Sequence, residues 1–133
     1  MKTIKKETKK RVSDCNLIPI VQCFKHHSVL EAAKKLKESN SRYLVVLEGH
    51  TPIGIISPSD ITSKVVAENK TPLNTRVEEI MTSPIFILRW DEPLSIALVA
   101  MLERGLLFCP VIDSNYNCLG LVSLSELVNK SKK

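Results

Sequence analysis

Long apolar runs are missing from this chain. In 133 residues the most apolar stretch is Ile96 to Leu102, against roughly 20 residues for a helix that crosses a bilayer. Nothing in the sequence is expected to span a membrane. A secretory leader is not expected either, because the basic start runs into Leu17-Ile18-Pro19-Ile20-Val21-Gln22, where Pro19 and Gln22 interrupt the apolar segment. Cysteine is sparse. Cys15, Cys23, Cys109 and Cys118 have neither the density of a disulfide framework nor Cys-x-x-Cys spacing, so they read as reduced thiols in a cytoplasmic protein, buried as small apolar residues. His26 and His27 are adjacent in a turn and point different ways, so with no supporting ligand spacing no bound metal is expected. Catalytic signatures are absent too: there is no nucleophile elbow, zinc-protease motif or Walker loop. No enzymatic activity is expected.

Charge is lopsided only at the ends. Residues 1–11 carry Lys2, Lys5, Lys6, Lys9, Lys10 and Arg11 against Glu7, which is 6 minus 1 and equals the whole chain's net charge of +5. The remaining sequence is neutral, and Lys130, Lys132 and Lys133 leave the body between the tails mildly acidic. A basic start could attract nucleic acid or an acidic membrane surface. It has no aromatic residue for base stacking, so it reads first as a solvated, flexible tail.

What the chain does contain is an internal repeat. A constant shift of 65 places Val12 on Val77, Pro19 on Pro84, Ala32 on Ala97, Glu38 on Glu103 and Val46 on Val111. After one inserted turn residue the shift becomes 66, and Gly54-Ile-Ile-Ser57-Pro-Ser59-Asp60-Ile61 lies on Gly120-Leu-Val-Ser123-Leu-Ser-Glu126-Leu127. A unit of about 60 residues buries too little surface to be secure alone, so two copies are expected to share one body. The divisions are a tail at 1–11, a first repeat at 12–69, a connector at 70–76, a second repeat at 77–130 and a tail at 131–133.

Periodicity sets the elements within each copy. Val29, Ala32, Ala33 and Leu36 recur at helical spacing with charged residues between them, predicting an amphipathic helix over 28–39. Tyr43 to Leu47 and Ile53 to Ile56 predict a hairpin, Ile18 to Phe24 a preceding strand, and Ser57-Pro58 the cap and first turn of another helix. The second copy repeats this order with Ile85–Leu88, Pro93–Arg104, Phe108–Ile112, Cys118–Val122 and Ser125–Lys130, after a helical lead-in at Val77–Met81. The predicted class is α/β: two repeated strand-helix-strand-strand-helix units packed into one pseudo-two-fold module. The helix at 93–104 adds Ile96, Val99, Ala100 and Leu102 to its core stripe. It therefore wants cover on nearly all sides, which predicts a symmetric homodimer.

The order and duplication of these segments resemble a tandem pair of CBS domains, a Bateman module. The resemblance rests on Gly54-x-x-Ser57-x-x-Asp60-Ile61, on Ile80-Met81-Thr82 and on Cys109-Pro110-Val111-Ile112-Asp113, and covers about residues 12–130. It implies a regulatory module that binds an adenosine-containing ligand such as AMP, ADP, ATP or S-adenosylmethionine, needs no further cofactor, and modulates a regulated protein or its own assembly. The residue chemistry agrees. Amides at a helix start and the Ser57 hydroxyl, with Ser59 in the same turn, suit phosphate. The two oxygens of Asp60 suit the two hydroxyls of a ribose. The family resemblance also implies an apolar adenine slot from Ile20, Tyr43 and Val45 in the first copy and from Thr82, Ile85 and Pro110 in the second, beside Ser123 and Glu126.

A bland explanation competes with this one. Ser-x-x-Asp and Ser-x-x-Glu at a helix start are also capping boxes. Ser123-x-x-Glu126 suits capping, while Ser57-x-x-Asp60 suits a ligand better, since the extra methylene of Glu126 displaces its carboxylate by about 1.5 Å. The Asp60 cleft is the expected working site. A purely structural dimerisation module with non-binding clefts is the alternative, and nucleic-acid binding through the basic tails the third.

Overall fold

The computed structural model describes residues 10–132. They divide into two compact units: Ile20–Ile85, and the chain up to Pro19 together with Phe86 onward. The units therefore do not coincide with the contiguous repeats. The segment that leads into each repeat belongs to the unit built from the other repeat.

In the unit 20–85, a three-stranded sheet is formed by β1 (Gln22–Phe24), β2 (Leu44–Glu48) and β3 (Thr51–Ile56). β1 runs parallel to β2, with Cys23 opposite Val46, and β2 runs antiparallel to β3. The parallel step requires a crossover, supplied by α1 (Val29–Ser39). Ser28 caps α1 in a reciprocal box with Glu31, and Asn40 ends it in a left-handed conformation (φ 54°). Val29, Ala32 and Leu36 of α1 pack on Cys23, Leu44, Val46 and Ile56. Val77 and Ile80, from the short helix Val77–Ile80 of the lead-in, complete that core. The connector is less solvated than its polar composition predicts: Thr75 is buried, and its carbonyl accepts the Val29 N–H at 2.8 Å.

The other unit repeats the plan. β4 (Leu88–Arg89) is parallel to β5 (Phe108–Ile112), which is antiparallel to β6 (Cys118–Ser123). Of its helices, α4 (Leu94–Arg104) crosses between β4 and β5, and α5 (Leu124–Ser131) follows β6; α2 and α3 denote Pro58–Ile61 and Val77–Ile80 of the first unit. Val12 and Cys15 from the N-terminal lead-in are buried here with Leu88, Ala97, Met101, Val111 and Leu127.

Three boundaries differ from expectation. The strand expected over Ile18–Phe24 divides, because Ile18 bridges Leu121 while pairing with β2 starts only at Gln22. Pro19, which has no N–H to donate, lies between them. The tail read over 1–11 is anchored by its last two residues: Leu94 N–H donates to the Lys10 carbonyl at 2.9 Å, and the Arg11 guanidinium to the Asp91 carbonyl at 2.6 Å. Residues 1–9 of that tail lie outside the described residues. At the other end α5 continues to Ser131, so the helix enters the segment read as a tail. No helix among the described residues is long and apolar enough to cross a membrane.

Candidate functional site

Ser57 follows β3 in an extended conformation and caps α2, with Pro58 in the first turn. Its Oγ accepts the Asp60 N–H at 3.2 Å, and Asp60 Oδ2 in turn accepts Ser57 N–H at 2.9 Å and Ser57 Oγ–H at 3.2 Å. The first motif therefore forms the complete capping box that its spacing also allowed. The second does not. Ser123 Oγ accepts the Glu126 N–H at 3.1 Å, but the Glu126 carboxylate turns away and accepts Asn16 N–H at 2.8 Å.

Asp60 is only 8% exposed, and its other oxygen is engaged differently. Oδ1 accepts the Thr82 hydroxyl at 3.2 Å and lies 3.0 Å from the Lys64 ammonium. Lys64 also donates to the Ile80 carbonyl at 3.0 Å. It stands on a five-residue π turn, Thr62–Val66, that continues α2. A carboxylate offers about four acceptor positions. Two are committed to the cap, and two meet groups that other hydroxyls or cations could replace.

Thr82 reaches Asp60 because the lead-in runs beside β3: Ile55 and Thr82 exchange backbone hydrogen bonds at 3.1 and 2.9 Å. Gly54 permits that approach. A Cβ there would lie 2.6 Å from Met81 Sδ and 3.2 Å from the Thr82 carbonyl. Gly120 has the same role in the other unit, where an added Cβ would meet the Ile18 carbonyl at 2.9 Å. The motif glycine is thus a backbone-approach residue in both copies.

These lead-in positions regroup the expected site. Ile20, Tyr43, Val45, Ser57, Ser59 and Asp60 share the unit 20–85 with Thr82 and Ile85, whereas Thr82 and Ile85 were grouped by sequence with Pro110, Ser123 and Glu126. The correction has one cause: residues 77–85 belong with the first repeat's sheet, not their own. Val45 and Pro110 are buried. By strand alternation both face away from the helix-packed side, which carries Leu44 and Val46 in one sheet and Cys109 and Val111 in the other. Ile20, Tyr43 and Ile85 are half-buried, and Ser59 is exposed.

Lys64 and Asn16 escaped sequence reasoning. Lys64 stands four residues after Asp60 on one helical face, a spacing that was readable. Asn16 is 110 residues from Glu126, and nothing local announces that contact. Other basic side chains lie against acidic neighbours rather than Asp60: Lys25 against Glu48 at 3.0 Å, Arg89 against Asp91 at 3.3 Å and His26 against Glu78 at 3.4 Å. Arg42 is exposed. His27 Nδ1 accepts Phe24 N–H at 3.4 Å. Burial pushes the thiols of Cys15 and Cys23 up to about 11 and that of Cys109 up to about 12. They are therefore poor nucleophiles at neutral pH.

Comparison with known proteins adds three kinds of likeness. The family model for the CBS domain matches residues 12–67 and 77–133. Among sequence relatives, a 17.7 kDa protein of Acidianus ambivalens is 35% identical over 101 residues, 75% of this chain and 60% of that one. L-aspartate semialdehyde sulfurtransferase of Methanocaldococcus jannaschii is 30% identical over 117 residues, 87% of this chain but 22% of the enzyme. This chain thus spans less than two thirds of either relative. Among solved structures, the CBS domain pair of protein MJ0100 in complex with 5′-methylthioadenosine and S-adenosyl-L-methionine has a TM-score of 0.75 at 28% identity. The match covers 95% of this chain and all of that one.

Proposed function

This chain belongs to the CBS-domain family, and on that premise we propose that it is a regulatory module that binds an adenosine-containing nucleotide at Asp60. The observation that carries the proposal is the division of labour on one buried carboxylate. Oδ2 closes the cap, while Oδ1 rests on a hydroxyl and an ammonium, the two kinds of donor that a ribose and a side chain can exchange. The complex of the MJ0100 domain pair with two adenosyl compounds supports the ligand class. Ribose lies at Oδ1, and phosphate lies off the carboxylate, which repels it.

Regulation follows by linkage. A ligand that prefers one arrangement of the module shifts the population toward it, and a coupling of about 1–3 kcal/mol is enough. The output is a regulated protein or the module's own assembly. Assembly is supported by α4, where Ile96, Val99 and Leu102 are each more than half exposed, an apolar row suited to a second copy of the chain. The four free cysteines fit a reducing, cytoplasmic address.

A second reading has its own support. All four acceptor positions of Asp60 meet internal partners, as they would in a structural module whose motif only caps a helix. Thermal unfolding with AMP, ADP, ATP, S-adenosylmethionine and NADH separates the two. A binder gains about 2.7 kcal/mol at 100 times its dissociation constant, and Asp60→Ala abolishes the gain. A melting curve that none of the five compounds moves favours the structural module.

A further inference from the structure

We infer that Lys64 sets the ligand charge that the Asp60 site accepts, selecting adenosyl compounds with an anionic group over neutral or cationic ones. The inference rests on the adenosyl-binding proposal and goes beyond it to specificity. Its basis is the position of one ammonium. Lys64 Nζ lies 3.0 Å from Asp60 Oδ1 and 3.0 Å from the Ile80 carbonyl, so it covers the oxygen that a ribose needs.

The other group on that oxygen, the Thr82 hydroxyl at 3.2 Å, is no obstacle, because a hydroxyl rotates and can itself accept from a ribose hydroxyl. The ammonium has three donors and no acceptor. A ribose that takes its position must separate it from the carboxylate. Asp60 is nearly buried and tolerates the exchange, since sugar hydroxyls replace the lost donor. The cation carries the remaining cost, because it gives up a close, charge-assisted contact. A ligand that brings its own phosphate offers the displaced ammonium a new anionic partner. Adenosine and 5′-methylthioadenosine bring none, and a sulfonium adds repulsion.

The side chain is placed for such an exchange. It is 43% exposed, so the ammonium can move without unpacking the core. Its tether is an exposed helical surface rather than the buried sheet. Met has similar length and no charge, which makes Lys64→Met a clean test.

Isothermal titration of AMP, adenosine and 5′-methylthioadenosine into the full chain, Lys64→Met and Lys64→Arg measures the selection. The unaltered chain is expected to prefer AMP over adenosine by about tenfold or more, the equivalent of one charge-assisted hydrogen bond. Lys64→Met should bring that ratio close to one, chiefly by tightening adenosine, and Lys64→Arg should keep most of it. A merely structural role would weaken all three ligands together and leave the ratio unchanged. An unchanged ratio in Lys64→Met, or equal binding of AMP and adenosine by the unaltered chain, overturns the inference while leaving the adenosyl site intact. Silence from all three compounds overturns both.

Discussion

Asp60 uses its two oxygens for different tasks, and Glu126 uses its carboxylate for a third. At Asp60 the side chain folds back to the Ser57 amide, while Glu126 accepts from Asn16 of the lead-in instead; length alone does not decide this, because Glu31 closes the same box with Ser28. The two matched acids therefore have different partners, a helix cap in one copy and a lead-in amide in the other. The Ser-x-x-acid spacing was visible in the sequence, but not which copy would close the box, since that depends on the backbone that comes alongside. The glycines that admit this backbone make a residue-scale prediction. Gly120→Ala forces a Cβ against a carbonyl, whereas at Gly54 the nearest atom is the flexible Met81 sulfur. Overpacking of this kind costs about 1–3 kcal/mol. Urea unfolding should place Gly120→Ala at the upper end of that range and Gly54→Ala at the lower; the opposite order would contradict the assigned contacts.

At the scale of elements, the long periodic segments were legible and the short ones were not. α1 and α4 each begin one residue inside their predicted spans, because the apolar spacing of Val29, Ala32 and Leu36 and of Leu94, Ala97 and Met101 leaves one face to bury. β1 and β4 are only three and two residues long: Ile18 pairs with Leu121 rather than with β2, and of the strand expected over Ile85–Leu88 only Leu88 pairs with β5. α4 is the element with a test of its own. Leu94, Ala97 and Met101 face the core, while Ile96, Val99 and Leu102 do not. If the outer row joins two copies, Ile96→Glu with Leu102→Glu should yield a monomer in sedimentation equilibrium with the melting temperature of the chain at low concentration. A variant that sediments like the unaltered chain assigns the row another purpose.

At the scale of the molecule, the sequence repeat and the compact unit are different divisions of one chain. Alignment groups Val77 and Ile80 with the second repeat, yet they are buried in the core of the first. Nothing in a one-dimensional repeat reveals such an exchange, because a lead-in of the same apolar pattern fits either core. Fragments distinguish the divisions. A fragment of residues 20–85 retains every member of its core cluster, while one of residues 12–69 lacks Val77 and Ile80. Removing two such side chains costs about 2–5 kcal/mol each where Ala replaces them, against about 5–15 kcal/mol for a whole domain. Both fragments are too small to match the full chain, but residues 20–85 should keep a urea transition and residues 12–69 should not. Cooperative unfolding of 12–69 alone would restore the repeat as the folding unit.

The whole module turns on whether Asp60 holds a nucleotide in addition to its helix cap. Isothermal titration of AMP into the unaltered chain and into Asp60→Asn measures this most directly. The account predicts saturable binding of one AMP per chain, because Glu126 is committed to Asn16, with the heat lost in Asp60→Asn. No heat from AMP in the unaltered chain, or an isotherm indifferent to Asp60→Asn, would contradict it.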